Sequence, residues 1–443
     1  MANTTKDKKT PSASKPLGRP MSRRKFLATT AGAATALSLG TFLRSGLGAT
    51  QINILTWSNT LNAMDDVLRE QAEKYSKEKG VNVKFEFINQ TDLPTKTAAA
   101  VETGAGPDII TLWSDGPHLF AHALEDISDI CQSLGDKLQG WTNIGQDISN
   151  VDGTWRSVPW GIIPIAITYR TDWLKEVGYN QFPDTYDEML VMGKKLNEKD
   201  HPVGFALGRA IGDGNQSHYP MLWAFGGKEC EKDGKTVAIN SLETANAVDY
   251  RRKLHQEAET PDVLSWDDSS NNRAFLAEAI SVTGNAASIY WAAKKNAPHL
   301  REVINHALWP KGPAGRFGYS TAISLGVFKF SKAKKESKEF IEWLLSPAQY
   351  SAWIGVGEGM MAGLLNYYEN DPVWKKDPKI EIMRSIPKYV RMPGYPGPPS
   401  RQAAEAMVKY VIINMFARAC KGMSTQETIA IAEGELKDIY AKA

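Results

Sequence analysis

Three tryptophans in this 443-residue chain stand where short strand-like runs end: Trp57, Trp113 and Trp160. Two are followed at once by small hydrogen-bonding side chains, Trp57 by Ser58-Asn59 and Trp113 by Ser114-Asp115. An indole face stacks on the C–H face of a pyranose, while Ser, Asn and Asp take the hydroxyls, so the pattern suits sugar capture. Core burial explains any one tryptophan as well. With 13 tryptophans the chain holds about twice the ordinary share, and three at one topological position are less simply explained by packing.

Signals for bond-making chemistry are weaker. His118 and His122 are four apart and Asp115 is one turn earlier, which would put a zinc-like set on one helix face, but no Glu sits beside His118. Two surface histidines are the simpler account. Gly355-Val356-Gly357-Glu358-Gly359 has glycine-loop spacing but follows a helix pattern, the wrong context for a dinucleotide turn. Tyr367-Tyr368 resembles the paired tyrosines that hold ferric iron in some exported binding proteins, and a packed turn explains it more simply. Adjacent acids such as Asp65-Asp66 and Asp267-Asp268 do not face each other on a helix. No Walker sequence, Gly-x-Ser-x-Gly elbow or Cys-x-x-Cys is present. The expectation is no enzyme, no metal and no cofactor.

The elements that must position the aromatic groups alternate. Ile52–Trp57 reads as a strand, Leu61–Tyr75 as an amphipathic helix ended by Gly80, Val81–Phe87 as a strand, Leu93–Thr103 as a helix and Asp108–Trp113 as a strand. This β-α-β-α-β order predicts an α/β fold with mostly parallel sheets flanked by helices. Further on, Ile162–Tyr169, Ile280–Thr283 and Ile323–Phe330 read as strands, and Ala403–Arg418 and Gln426–Ala441 as closing helices. The proline-rich stretch Met392–Pro399 must be a rigid loop. In an open parallel sheet ligands bind beyond the carboxyl ends of strands, where these tryptophans stand.

Charge divides the chain sharply. Nine Lys and Arg and one Asp in residues 1–49 give +8, against +2 for the whole, so residues 50–443 carry −6. An acidic body argues against nucleic-acid binding. The basic front ends in Ser22-Arg23-Arg24-Lys25-Phe26-Leu27 and runs into a weakly apolar stretch too short to span a membrane. Residues 1–49 therefore read as an export signal resembling the twin-arginine type, with Ser22, Arg23, Arg24, Phe26 and Leu27 addressed to the twin-arginine translocase, and a periplasmic destination. Cys131, Cys230 and Cys420 read as buried free thiols, though an odd count leaves room for one disulfide.

The ordered strings Ile52–Ser58, Gly104–Ile110, Val158–Gly161, Thr168–Leu174, Pro183–Met189, Thr283–Asn285 and Ser331–Lys335 resemble the extracellular solute-binding proteins of ABC importers, the branch that includes maltose-binding protein. The resemblance implies two α/β lobes joined by a multi-segment hinge: 50–163 with 324–372, and 164–323 with 373–443. It implies a monomer that takes a carbohydrate or sugar derivative in the inter-lobe cleft and hands it to permease subunits. On these positions the resemblance puts Trp57, Ser58, Asn59, Trp113, Ser114 and Asp115 at the ligand, with Asn215, Gln216 and His218 from the second lobe, and Trp160 and Tyr319 join them as candidate ligand residues. Asn285 and Ser288 stand where the family commonly continues with an aromatic, and the loop of Tyr395 and Arg401 replaces another aromatic stretch. No acid lies near Ile163, where the maltose binders have one, so a ligand other than maltodextrin is implied. Arg209, Arg391 and Arg401 leave an anionic solute open, and acidic pocket residues would favour a polyamine.

Overall fold

The structure is a computed structural model describing residues 50–441, apart from Thr60, Thr91 and Arg209. The export segment, with Ser22, Arg23, Arg24, Phe26 and Leu27, and the arginine at 209 therefore lie outside the described residues.

Strand β1 (Gln51–Trp57) is buried over six of its seven residues, so both of its faces need covering. Helix α1 (Asn62–Lys79) supplies one cover, turning Met64, Leu68, Ala72 and Tyr75 inward at helical spacing. Gly80 closes it in the left-handed region at φ 68°, its N–H donating to the Ser76 carbonyl. Strand β2 (Asn82–Ile88), helix α2 (Leu93–Thr103) and strand β3 (Ile109–Trp113) follow, and β1 pairs in parallel with both β2 and β3. Inside this sheet the Thr111 hydroxyl donates to Thr56 Oγ1 at 2.8 Å, fixing the β1–β3 register.

The run expected as one strand over 162–169 is two. Strand β4 (Val158–Ile162) ends before Pro164, which has no N–H for a ladder, and β5 (Ala166–Arg170) starts a second sheet. Helix α3 (Asp213–Ala224) packs against β6 (Val282–Asn285), which pairs with β5, as does β7 (Ile304–Ala307). Strand β8 (Ala322–Val327) then returns to the first sheet, whose order is β2-β1-β3-β8-β4.

Parallel pairing holds only for β2-β1-β3. Strand β8 is antiparallel to both neighbours, and the small sheet β6-β5-β7 is antiparallel throughout. A short β-α-β crossover forces parallel strands. Strands separated by long segments are under no such constraint, and periodicity carries no direction. The closing helix expected over 403–418 is likewise two, α4 (Arg401–Val408) and α5 (Val411–Cys420), divided at Tyr410 with φ 59°. Its apolar period runs through the break, which is why the break is silent in the sequence.

The three cysteines are free, Cys131 and Cys230 buried and Cys420 half-buried. Among the described residues no helix is long and apolar enough to cross a membrane.

Candidate functional site

A cavity of about 270 Å³ lies between the two sheets. From the five-stranded side it is lined by Trp57, Gln90, Trp113, Ser114 and Asp115, and from the other by Asp213, Gln216 and Asp268. Tyr319, Met392, Pro399 and Met407 also line it.

The aromatic corner is built at the carboxyl ends of β1 and β3. Because those strands are parallel neighbours, Trp57 and Trp113 emerge at the same edge, edge-to-face with centroids 5.5 Å apart and planes at 88°. Trp57 Nε1 donates to Asn59 Oδ1 at 3.2 Å. Asn59 in turn donates from N and Nδ2 to Asp65 Oδ1 on α1, at 3.0 and 2.7 Å. The Asn59 side chain is thus spent on locking the Trp57 ring. Ser58 is exposed and its N–H donates to the Ile88 carbonyl, so it continues the sheet and stays off the cavity wall.

Ser114 lines the cavity with its hydroxyl already engaged: it donates to the Ala322 carbonyl and accepts the Ala322 N–H. That clamp ties the β3 loop to the start of β8. The Asp115 carboxyl is free to meet a ligand, and burial raises its pKa against a smaller opposing effect of its own backbone N–H and of His118. Tyr319 is buried at the wall with its hydroxyl against Met407 Sδ at 3.0 Å, and burial, helped by Asp115, raises its pKa.

Across the cavity, the first turn of α3 presents Asp213 and Gln216. Asp268 Oδ1 accepts the N–H groups of Gly212 and Asp213, both at 2.9 Å, and so holds this helix start in place. Asp213 Oδ2 is buried without a hydrogen-bond partner. Burial first, then the neighbouring charges of Asp268 and Asp267, pushes its pKa up to about 8. Trp113 Nε1 is a second buried polar atom at this wall without a partner.

Several expected residues lie elsewhere. Trp160 sits mid-strand in β4, fully buried, stacked on Trp353 with centroids 4.6 Å apart; a strand covered on both faces has no route to the cleft. Asn215 points inward with Nδ2 donating to the Ile211 carbonyl. Residues one or two apart on a helix point in different directions, so Gln216 reaches the cavity while Asn215 and His218 enter the core. His218 is held by the Gly214 carbonyl at Nδ1 and by Arg251 Nε at Nε2, both at 2.8 Å. Burial and then the Arg251 charge lower its pKa to about 3, so it is a neutral donor–acceptor. Arg251 in turn pairs with Glu259 at 2.7 Å, both fully buried.

Asn285 and Ser288 close a polar triangle with Asn272, consuming one another's donors and acceptors away from the cavity lining. Arg401 is exposed at the start of α4. Tyr395 lines a second cavity of about 480 Å³ with His118, Asp147 and Arg391. Met392 and Pro399 of the proline-rich loop line both cavities. His118 is held there by the Asp147 carbonyl at 2.8 Å, and Tyr368 donates its hydroxyl to the Leu345 carbonyl.

Gln90, Asp213, Asp268, Met392 and Met407 were not legible as site residues. Asp267-Asp268 reads as a solvated pair, and only the docking of its loop on α3 turns Asp268 to the cleft.

Two sheets, with the chain passing between them and one aromatic and carboxylate-lined cleft in the middle, define a two-lobe solute-capturing fold of the periplasmic-binding type. Residues 59–351 match the family described as bacterial extracellular solute-binding protein, and the chain belongs to that family. Its fold is similar to the maltose-bound MalE3 of T. maritima, at 22% identity and TM-score 0.70 over 88% of this chain and 100% of that one. It is also similar to the cyclic alpha-maltosyl-1,6-maltose binding protein of Arthrobacter globiformis, at 17% identity and TM-score 0.75 over 89% of this chain and 100% of that one. A stretch of 203 residues is 24% identical to a Deinococcus radiodurans protein described as a probable ABC transporter-binding protein, covering 44% of this chain and 48% of that one. The chain thus spans about half the length of this curated relative.

Proposed function

We propose that this protein is the capture component of an ABC importer, holding a carbohydrate or sugar derivative in the cleft between its sheets. The observation that carries the reading is the Trp57–Trp113 corner facing the carboxylates of Asp115, Asp213 and Asp268 in one cavity. The half-buried Trp113 indole, braced edge-to-face by the buried Trp57, offers a stacking face, and Asp115 and Gln216 offer acceptors and donors for hydroxyls from opposite walls. Similarity to two proteins described as binding maltose or a maltosyl-maltose supports the same ligand class.

One lobe would comprise residues 50–163 with 324–372, the other 164–323 with 373–443. The placement of β4 and β8 in one sheet and β5, β6 and β7 in the other supports that division. Closure of the lobes needs contacts from both walls, because only binding that favours the closed state shifts the equilibrium. The protein would leave the cell interior by the twin-arginine route, act as a periplasmic monomer, and present its closed form to the permease subunits.

A thermal-shift screen over sugars, polyols, amines and acids tests this, since a ligand of the folded state raises Tm by mass action. At least one carbohydrate is expected to shift Tm, and Trp113→Ala to weaken its binding at least tenfold in titration calorimetry. Shifts produced only by carboxylates or phosphates would overturn the ligand class.

A further inference from the structure

Among the described residues the lining of the cavity is unbalanced in charge: it holds Asp115, Asp213 and Asp268 and no Lys, Arg or His. The three acids come from both sides: Asp115 follows β3, whereas Asp213 and Asp268 belong to the α3 side. Asp268 is compensated in part by two backbone N–H groups. Asp213 has a buried oxygen with no partner, and the opposite wall of the same cavity carries a tryptophan pair whose Trp113 Nε1 is also unpartnered.

We infer that the solute is an aminated carbohydrate, a sugar or sugar-like ring carrying a protonated amine, with the ammonium held between the Asp115 and Asp213 walls and the ring against Trp57 and Trp113. The inference rests on the carbohydrate reading above and narrows it.

The physical reason lies in closure. A neutral sugar can hydrogen-bond these acids but supplies no charge to offset an ionised Asp115 and Asp213, so Asp213 must keep its proton in a space from which water is being expelled. An ammonium supplies three donors and one positive charge to that space, and charge-assisted bonds of this kind are about twice as strong as neutral ones. The nearby indole faces attract a cation as well. Because the acids come from both sides, a cation between them stabilises the closed state in preference to the open one, which is the differential binding that closure requires. The raised pKa values of Asp115 and Asp213 record the same uncompensated burial.

Titration calorimetry on the exported form, at low salt and a pH where amines are protonated, compares matched pairs: glucosamine with glucose, galactosamine with galactose, and unacetylated chitobiose with cellobiose. Spermidine is included as an amine without a ring. At least one aminated member is expected to bind tenfold or more tighter than its neutral partner. Asp213→Asn and Asp115→Asn are each expected to reduce that preference to threefold or less, with circular dichroism confirming the fold. Neutral members binding as well as aminated ones would overturn the inference and leave carbohydrate capture standing. Binding of no member of any pair would overturn the inference, and binding of spermidine alone would overturn both.

Discussion

Replacing Asp213 by Asn should change how stability depends on pH in a direction the structure dictates. An ordinary Asp loses its proton near pH 4, whereas burial beside Asp268 and Asp267 moves Asp213 in the folded protein to about 8. Below about pH 4 both states carry the proton, and Asp213 adds nothing to the pH slope. Between about 4 and 8 the folded protein keeps a proton that the unfolded chain has released, so stability falls as pH rises. Each pH unit in that window costs about 1.36 kcal/mol, for a ceiling of about 5 kcal/mol. Water at the rim of the cleft screens the carboxylate, and a working figure of roughly 2 kcal/mol is more realistic. Glu229, raised to about 7 by burial and bonded by Tyr219 and Tyr440, adds a slope of its own, but equally in both proteins. The Asn variant should therefore match the wild type at pH 4.5 and exceed it by roughly 2 kcal/mol at pH 8. Urea unfolding of ligand-stripped protein at four pH values gives the difference directly. Midpoint curves that run parallel from pH 4.5 to 8 would refute the claim that Asp213 is an uncompensated cleft acid.

Three further outcomes follow from the same geometry. Arg251→Met strands the fully buried Glu259 and removes the donor to His218, so a loss of about 3–5 kcal/mol in chemical denaturation is expected; a loss under 1 kcal/mol would mean the pair is solvated. His218→Ala should lower Tm with ligand affinity changed less than twofold, and a tenfold loss of affinity would place this histidine back in the site. All three thiols should react with a thiol reagent in denaturant without reductant, while Cys131 and Cys230 stay protected in the folded protein, where burial also raises their pKa values. Fewer than three reactive thiols in denaturant would reveal a disulfide.

Asn59 and Ser114 look in the sequence like ligand donors beside tryptophans. In the structure both hold other parts of the site, Asn59 the Trp57 ring and Ser114 the start of β8. Ser114 lines the cavity, but its partner 208 positions away is invisible to spacing, and Asn59 is spent on partners two and six positions away that residue type alone does not rank above a ligand. Gln216 and His218 show the same limit on one helix. Both are polar and two residues apart, and only the packing of α3 against Arg251 and β6 decides which faces outward.

By itself the sequence determined the alternation of strands and helices, the helix boundary at Gly80 and the loop at Met392–Pro399, because periodicity, glycine and proline act through local sterics. It also placed Trp57 and Trp113 at strand ends within one β-α-β-α-β run, whereas their meeting required β1 to lie next to β3 in the sheet order β2-β1-β3. Tertiary structure alone decided the antiparallel pairing of the smaller sheet, the burial of Trp160 between two covered faces, and the meeting of Asp115, Asp213 and Asp268 around one cavity. Those depend on contacts between segments about 55 to 195 residues apart, where chain connectivity imposes little and packing, desolvation and charge decide the outcome.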